Sequence, residues 1–91
     1  MIIYISGAIT NNANYKKQFK EAREHLESIG HIVLDPSALP QGLPLPKYMP
    51  ICLAMLEQAE AIYMLSNFRD SNGALLELDY AMYQGKKVLF E

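Results

Sequence analysis

The chain is poor in the residues that staple or metallate small proteins. It carries one cysteine, Cys52, and two histidines in 91 residues. A single thiol excludes an internal disulfide and a multi-cysteine zinc site, and a buried apolar state is the expectation for it. His25 falls on a charged helix face and His31 opens a strand, neither spaced with a second ligand, so no metal site is expected. A serine or cysteine triad would need a positioned histidine, which is missing too. There is no excess of basic residues: eight Lys and Arg stand against ten Asp and Glu, for a net charge of −2. That balance disfavours a general nucleic-acid-binding surface. No apolar run approaches the roughly 18 to 20 residues of a membrane span, so no membrane partner is expected. Met1-Ile2-Ile3-Tyr4-Ile5 lacks the basic n-region and cleavage site of a signal peptide and reads as a strand, which makes the cytoplasm the expected compartment. The glycine patterns G-x-G-x-x-G and G-x-x-x-x-G-K-[ST] are both absent. Dinucleotide and P-loop chemistry therefore lack their phosphate cradles, and no cofactor is expected.

What remains is an ordinary globular composition, 51% apolar and 20% charged, in a length that makes one domain over residues 1–91. Short β-like runs alternate with helical patterns, the order that builds a parallel sheet covered by helices. Ile2 to Ile5 is a continuous apolar run suited to a strand buried on both faces. Tyr15, Phe19, Ala22, Leu26 and Ile29 recur at steps of four, three, four and three and form the stripe of a first helix. Its other face pairs Lys17 with Glu21, Lys20 with Glu24 and Arg23 with Glu27, a solvated surface. Gly30 stops it, and His31 to Asp35 follows as the second strand. Four prolines and one glycine between Pro36 and Pro46 make that segment a loop. A second helix runs from about Tyr48 to Gln58 and is apolar almost all round, which requires cover on more than one side. A homodimer or larger homo-oligomer is the economical expectation. Ala61 to Leu65 is the third strand, the third helix runs from about Asn72 to Gln84, and Lys86 to Phe90 is the fourth strand.

In open α/β sheets, ligands bind beyond the carboxyl ends of the strands, where successive connections leave in opposite directions. With strand order 2-1-3-4 that point lies between strands one and three, bordered by the loops Ser6 to Asn12 and Ser66 to Gly73. On the third helix, at 100° per residue, Ala74, Leu75, Leu78, Ala81 and Met82 form the expected core stripe. Glu77 lies about 60° from Ala74 on the flank of that stripe, half buried, beside Gly73, Tyr80 and Gln84. Gly73 leaves room for a small ligand against the carboxylate. Glu77 also reads as a first-turn acid favoured by the helix dipole. Ser71 is a good N-cap whose neighbouring free N–H groups could take a phosphate.

These residues carry a family resemblance. Tyr4-Ile5-Ser6-Gly7-Ala8-Ile9, then Asn14-Tyr15, then Asp35-Pro36, then Ser71-Asn72-Gly73-Ala74-Leu75-Leu76-Glu77-Leu78-Asp79-Tyr80-Ala81 resemble the nucleoside 2-deoxyribosyltransferase-like superfamily, most closely its short bacterial and phage branch, DUF4406. The resemblance spans nearly the whole chain. It implies a flavodoxin-like three-layer sandwich with a four-stranded parallel sheet of order 2-1-3-4 and helices on both faces. It further implies Glu77 as a catalytic nucleophile, contacts around Tyr4, Ser6 and Gly7, and a 5′-hydroxyl or 5′-phosphate pocket near Ser71 and Gly73. A neighbouring subunit helping to close each site is implied as well. Tyr4 would position Glu77 or the sugar, and Phe68 would stack on the base. The implied partner is a nucleoside or nucleoside 5′-monophosphate, and the implied activity that of a nucleoside deoxyribosyltransferase or nucleotide N-glycosidase. The alternative is a non-catalytic nucleotide-binding protein that keeps the pocket, since Ile51-Cys52-Leu53 stands where the characterised enzymes carry an aspartate.

Overall fold

The computed structural model describes residues 1–91. Four strands, β1 (Ile2–Ser6), β2 (Ile32–Leu34), β3 (Ala61–Met64) and β4 (Lys87–Phe90), form one sheet in the order β2-β1-β3-β4, with every neighbouring pair parallel. The connections are α1 (Tyr15–Ser28), α2 (Leu45–Gln58) and α3 (Asn72–Tyr83). Parallel strands need such crossovers, and their right-handedness sends α1 to one face of the sheet and α2 with α3 to the other.

The alternation of side chains along the strands divides the core accordingly. Ile3 and Ile5 of β1 pack with Phe19, Ala22 and Leu26 of α1. Tyr4, from the opposite face, packs with Ile62 and Met64 of β3 and with Cys52, Leu56, Ala74 and Ala81 of the two facing helices. Both β1 and β3 are almost wholly buried, as central strands of a three-layer sandwich should be.

Four local readings are corrected by the structure. First, α2 begins at Leu45 rather than Tyr48, and a 3-10 turn occupies Pro36–Ala38. Prolines are tolerated in the first turn of a helix because the N–H groups there have no intrahelical partner, so Pro46 continues the chain into α2 instead of ending a loop. Second, β2 pairs only over Ile32–Leu34. His31 lies at the turn out of α1, where its N–H bonds the Leu26 carbonyl, and Asp35 caps the following turn by accepting the Ser37 N–H. Third, Ile29 caps α1 at 59% exposure and lies outside the buried stripe. Fourth, the buried face of α3 is centred on Ala74, Glu77 and Ala81, while Leu75 and Met82 are 37% and 54% exposed. Glu77 therefore sits in the middle of the buried stripe rather than on its flank.

Candidate functional site

The site is assembled by two short-range rules acting on distant segments. Tyr4 and Ser6 are two residues apart on β1, so both side chains emerge on the face covered by α2 and α3. Glu77 lies three residues after Ala74 and four before Ala81, and these two small residues let α3 settle close on the sheet. The glutamate reaches β1 from above. Tyr4 Oη donates to Glu77 Oε2 at 2.8 Å and Ser6 Oγ donates to Oε1 at 2.7 Å. All three side chains are buried, with Tyr4 at 0%, Ser6 at 1% and Glu77 at 6% exposure.

Burial raises the pKa of Glu77 above the usual carboxylate range, opposed by the Ser6, Tyr4 and Cys52 donors, which favour the charged form. The same burial, joined by the negative charge of Glu77, drives the Tyr4 phenol far above its ordinary value. Tyr4 is thus a permanent donor at any physiological pH. Cys52, buried on α2, has its thiol pushed up to about 11, chiefly by burial.

Glu77 forms part of the wall of a cavity of about 300 Å³ beyond the carboxyl end of β1. The cavity is closed by the β1–α1 loop at Gly7, Ile9, Thr10 and Asn11, by Pro36, by Tyr48, Met49 and Cys52 of α2, and by Asp70 to Ala74 at the start of α3. Beneath the Leu39–Leu43 segment lies a second chamber of about 290 Å³, and Ile9, Thr10, Leu45 and Tyr48 line both. Tyr48 is held at this junction by donating to the Pro36 carbonyl at 2.9 Å. Burial pushes its phenol up to about 12. Pro36 is fixed in turn by its neighbour Asp35, whose carboxylate pairs with Arg23 at 2.9 Å and accepts Ser37 N–H and Oγ at 2.8 and 2.6 Å.

The residues singled out from the sequence take different places. Tyr4, Gly7, Ser71, Gly73 and Glu77 line the cavity. Ser6 lies behind the carboxylate with its hydroxyl committed to Glu77, so it orients that group and has no exposed surface to offer a ligand. Ser71 caps α3, its Oγ accepting the Ala74 N–H at 3.1 Å. At Gly7 a β-carbon would meet Leu65 at 2.7 Å, so the glycine is demanded by the packing of the loop on the residue that follows β3. At Gly73 a β-carbon would lie 3.2 Å from the Met49 methyl, which closes α2 against α3. Phe68 belongs to the core: it packs against Phe90 with centroids 5.8 Å apart, and Arg69 lies 4.5 Å over its ring. It is absent from the cavity wall, so base stacking on Phe68 is ruled out by its burial. Tyr48, which the sequence reading missed, and Cys52, which it expected as a buried apolar thiol, follow one signal: with Leu56 they recur every four residues along α2.

A family model described as "Domain of unknown function (DUF4406)" matches residues 1–90. The chain belongs to this family. No curated protein matches it in sequence. Among solved structures it resembles a 2-deoxyribosyltransferase from the psychrotolerant bacterium Bacillus psychrosaccharolyticus, which is described as a biocatalyst for nucleoside synthesis. The identity is 20%, the TM-score 0.77, and the match covers 99% of this chain and 71% of that one. The DUF4406 chain thus shares its fold with that enzyme over 99% of its own length. No helix in the chain is long and apolar enough to cross a membrane.

Proposed function

We propose that this DUF4406 protein acts on the N-glycosidic bond of a nucleoside or nucleoside 5′-monophosphate, with Glu77 as the nucleophile. The observation that carries the reading is the buried Glu77 carboxylate, held by two hydroxyl donors at the wall of a ligand-sized cavity. Each carboxylate oxygen has two lone pairs, so the bonds from Tyr4 and Ser6 fix the group and leave electron density for attack. The likeness in fold to a 2-deoxyribosyltransferase adds support.

In this reading the sugar lies against Glu77 and the base points past Tyr48 towards the second chamber. As the anomeric carbon develops oxocarbenium character, the C–N bond breaks, its electron pair leaves with the base, and an Oε–C bond forms. Water or another base then displaces the glutamate, so that hydrolysis and transfer differ only in the acceptor. Because the nucleophile must be ionised and burial raises its pKa, turnover rises with pH through a limb above the ordinary carboxylate range. Tyr4 and Ser6 are positioning residues that hold the ionised form.

A binding-only reading finds its support at Cys52. The thiol lines the cavity beside Glu77, within the Ile51–Leu53 stretch where the family resemblance implies an aspartate, and no carboxylate of α2 lines the cavity to serve as an acid for the leaving base. Assembly into a dimer or larger oligomer is also proposed, from the exposed apolar residues Leu75, Leu76, Met82 and Tyr83 on α3 and Ile51 on α2.

The test is to incubate the protein with nucleosides and 5′-monophosphates and follow free base by chromatography. Glu77→Gln should abolish release while keeping ligand binding, since Gln fills the same space and both hydroxyls can turn to meet its amide. Equal rates in wild type and Glu77→Gln would exclude the nucleophile. Binding without cleavage by the wild type would decide for the binding-only reading.

A further inference from the structure

Two loops supply much of the cavity wall: the β1–α1 loop through Gly7, Ile9, Thr10 and Asn11, and the β3–α3 loop through Asp70 and Ser71. At their roots Gly7 packs close on Leu65. Beyond that contact, no backbone hydrogen bond joins residues 7–14 to residues 65–71. The polar link between the loops runs instead through three half-buried amide side chains, Asn12, Gln18 and Asn67. We infer that Gln18 of α1 is a positioning residue: its amide oxygen latches the two loops together and so holds the shape of the cavity that the nucleoside enters, an inference that rests on the nucleoside reading of that cavity.

The chemistry of the amides leaves one arrangement. Asn12 Oδ1 accepts the Asn14 N–H at 3.2 Å, and Asn67 Oδ1 accepts the Ala8 N–H at 3.4 Å. A backbone N–H only donates, so both asparagines must turn their oxygens to the chain and their NH2 groups elsewhere. Asn12 Nδ2 donates to the Ala8 carbonyl at 2.8 Å and to Gln18 Oε1 at 3.1 Å, while Asn67 Nδ2 donates to the same Oε1 at 3.1 Å. The Gln18 oxygen thus takes one donor from each loop, which uses both its lone pairs. Ala8 is 4% exposed, and its N–H and C=O are both met by these side chains rather than by a strand or helix partner. Asn11, on the cavity wall, has a φ of 60°, in the left-handed region. The Asn12 bonds hold the chain immediately after it.

Asn12, Gln18 and Asn67 are all absent from the cavity wall. An effect of Gln18 on binding must therefore pass through the loops and not through a contact with the ligand. Glu77 is held separately, by Tyr4 and Ser6 of β1. Loosening the loops should weaken the hold on substrate and transition state alike, which raises KM and spares kcat.

The experiment compares wild type with Gln18→Met, Gln18→Ala and Gln18→Glu. Met and Ala are good helix formers that remove the acceptor, and two such variants guard against one that folds poorly, which circular dichroism checks. Glu keeps an oxygen that accepts from both amides. Hydrogen exchange followed by NMR on the ligand-free proteins reads the latch. Calorimetric titration and base-release kinetics with the common deoxyribonucleosides read its effect on the site. In Gln18→Met and Gln18→Ala the Ala8 amide should exchange about tenfold faster or more, as a locally opened loop does. Kd and KM should rise about fivefold or more with kcat within about twofold of wild type, and Gln18→Glu should restore all of these. Unchanged exchange at Ala8 in both acceptor-free variants, or an equal loss in Gln18→Glu, overturns the latch. Faster exchange with Kd and KM unaltered makes Gln18 structural only and overturns the positioning role. Both results leave the nucleoside reading standing. If wild type neither binds nor cuts any deoxyribonucleoside, that reading falls and the positioning role falls with it.

Discussion

Tyr4→Phe deletes one oxygen from a fully buried side chain and leaves its shape otherwise intact. That oxygen donates to Glu77 Oε2 at 2.8 Å, inside a site where Glu77 is 6% exposed. Water cannot readily replace the lost donor. Hydrogen bonds to charged groups contribute about 1.5–3 kcal/mol, so the unfolding free energy should fall by about that much while Glu77 is ionised. For a domain of this size each kcal/mol moves Tm by about 4–8 °C, so a drop of about 10 °C is expected. The pH dependence has a definite sign. Burial already raises Glu77, and removing a donor that favours its charged form raises it further. A carboxyl whose pKa is higher folded than unfolded binds more protons in the native state between those two values. Its ionisation therefore costs stability as pH rises through the folded pKa and costs nothing extra below the unfolded one. The Tyr4→Phe penalty should be full above the folded pKa of Glu77 and contract as pH is lowered through it. Urea melts of both proteins from pH 4.5 to 8.5 measure this directly. A difference below about 0.5 kcal/mol across the range, or one that grows on acidification, would refute the role given to the hydroxyl.

Gly7→Ala should destabilise the fold by about 1–3 kcal/mol, because the new methyl would stand 2.7 Å from a fully buried Leu65 side chain; unchanged chemical denaturation would count against it. Cys52, with its thiol at about 11, should react slowly with iodoacetamide at pH 7.5. The rate should climb about tenfold per pH unit towards that value, since the thiolate is the reactive form. Mass spectrometry follows the adduct, and a rate equal to that of an unstructured cysteine peptide would contradict the burial. If the proposed function holds, a nucleoside that binds the cavity should slow the labelling, as Cys52 lines the same wall.

The order of elements and their layering could be read from the chain because both follow from periodicities a few residues long. The apolar run at Ile2 to Ile5, the four-three stripe of α1, and the helix-ending Gly30 and Gly85, both at positive φ, are local facts. Parallel pairing and right-handed crossovers then leave few arrangements. Glu77 was legible in the same way, as a carboxylate beside small residues at the right distance from Gly73. Its degree of burial was not, because α3 is apolar on several faces and periodicity alone could not say which one meets the sheet. That was settled by Tyr4 and Ser6, 73 and 71 residues away, whose hydroxyls make a buried carboxylate tolerable at the centre of the stripe. Phe68 and Asp70 are the clearest division. In sequence they are loop neighbours, an aromatic and an acid that could each face a ligand. The docking of β4 against β3 brings Phe90 over Phe68 and takes the ring into the core, leaving Asp70 on the cavity wall. Such choices depend on which distant surfaces come together, and only the tertiary structure makes them.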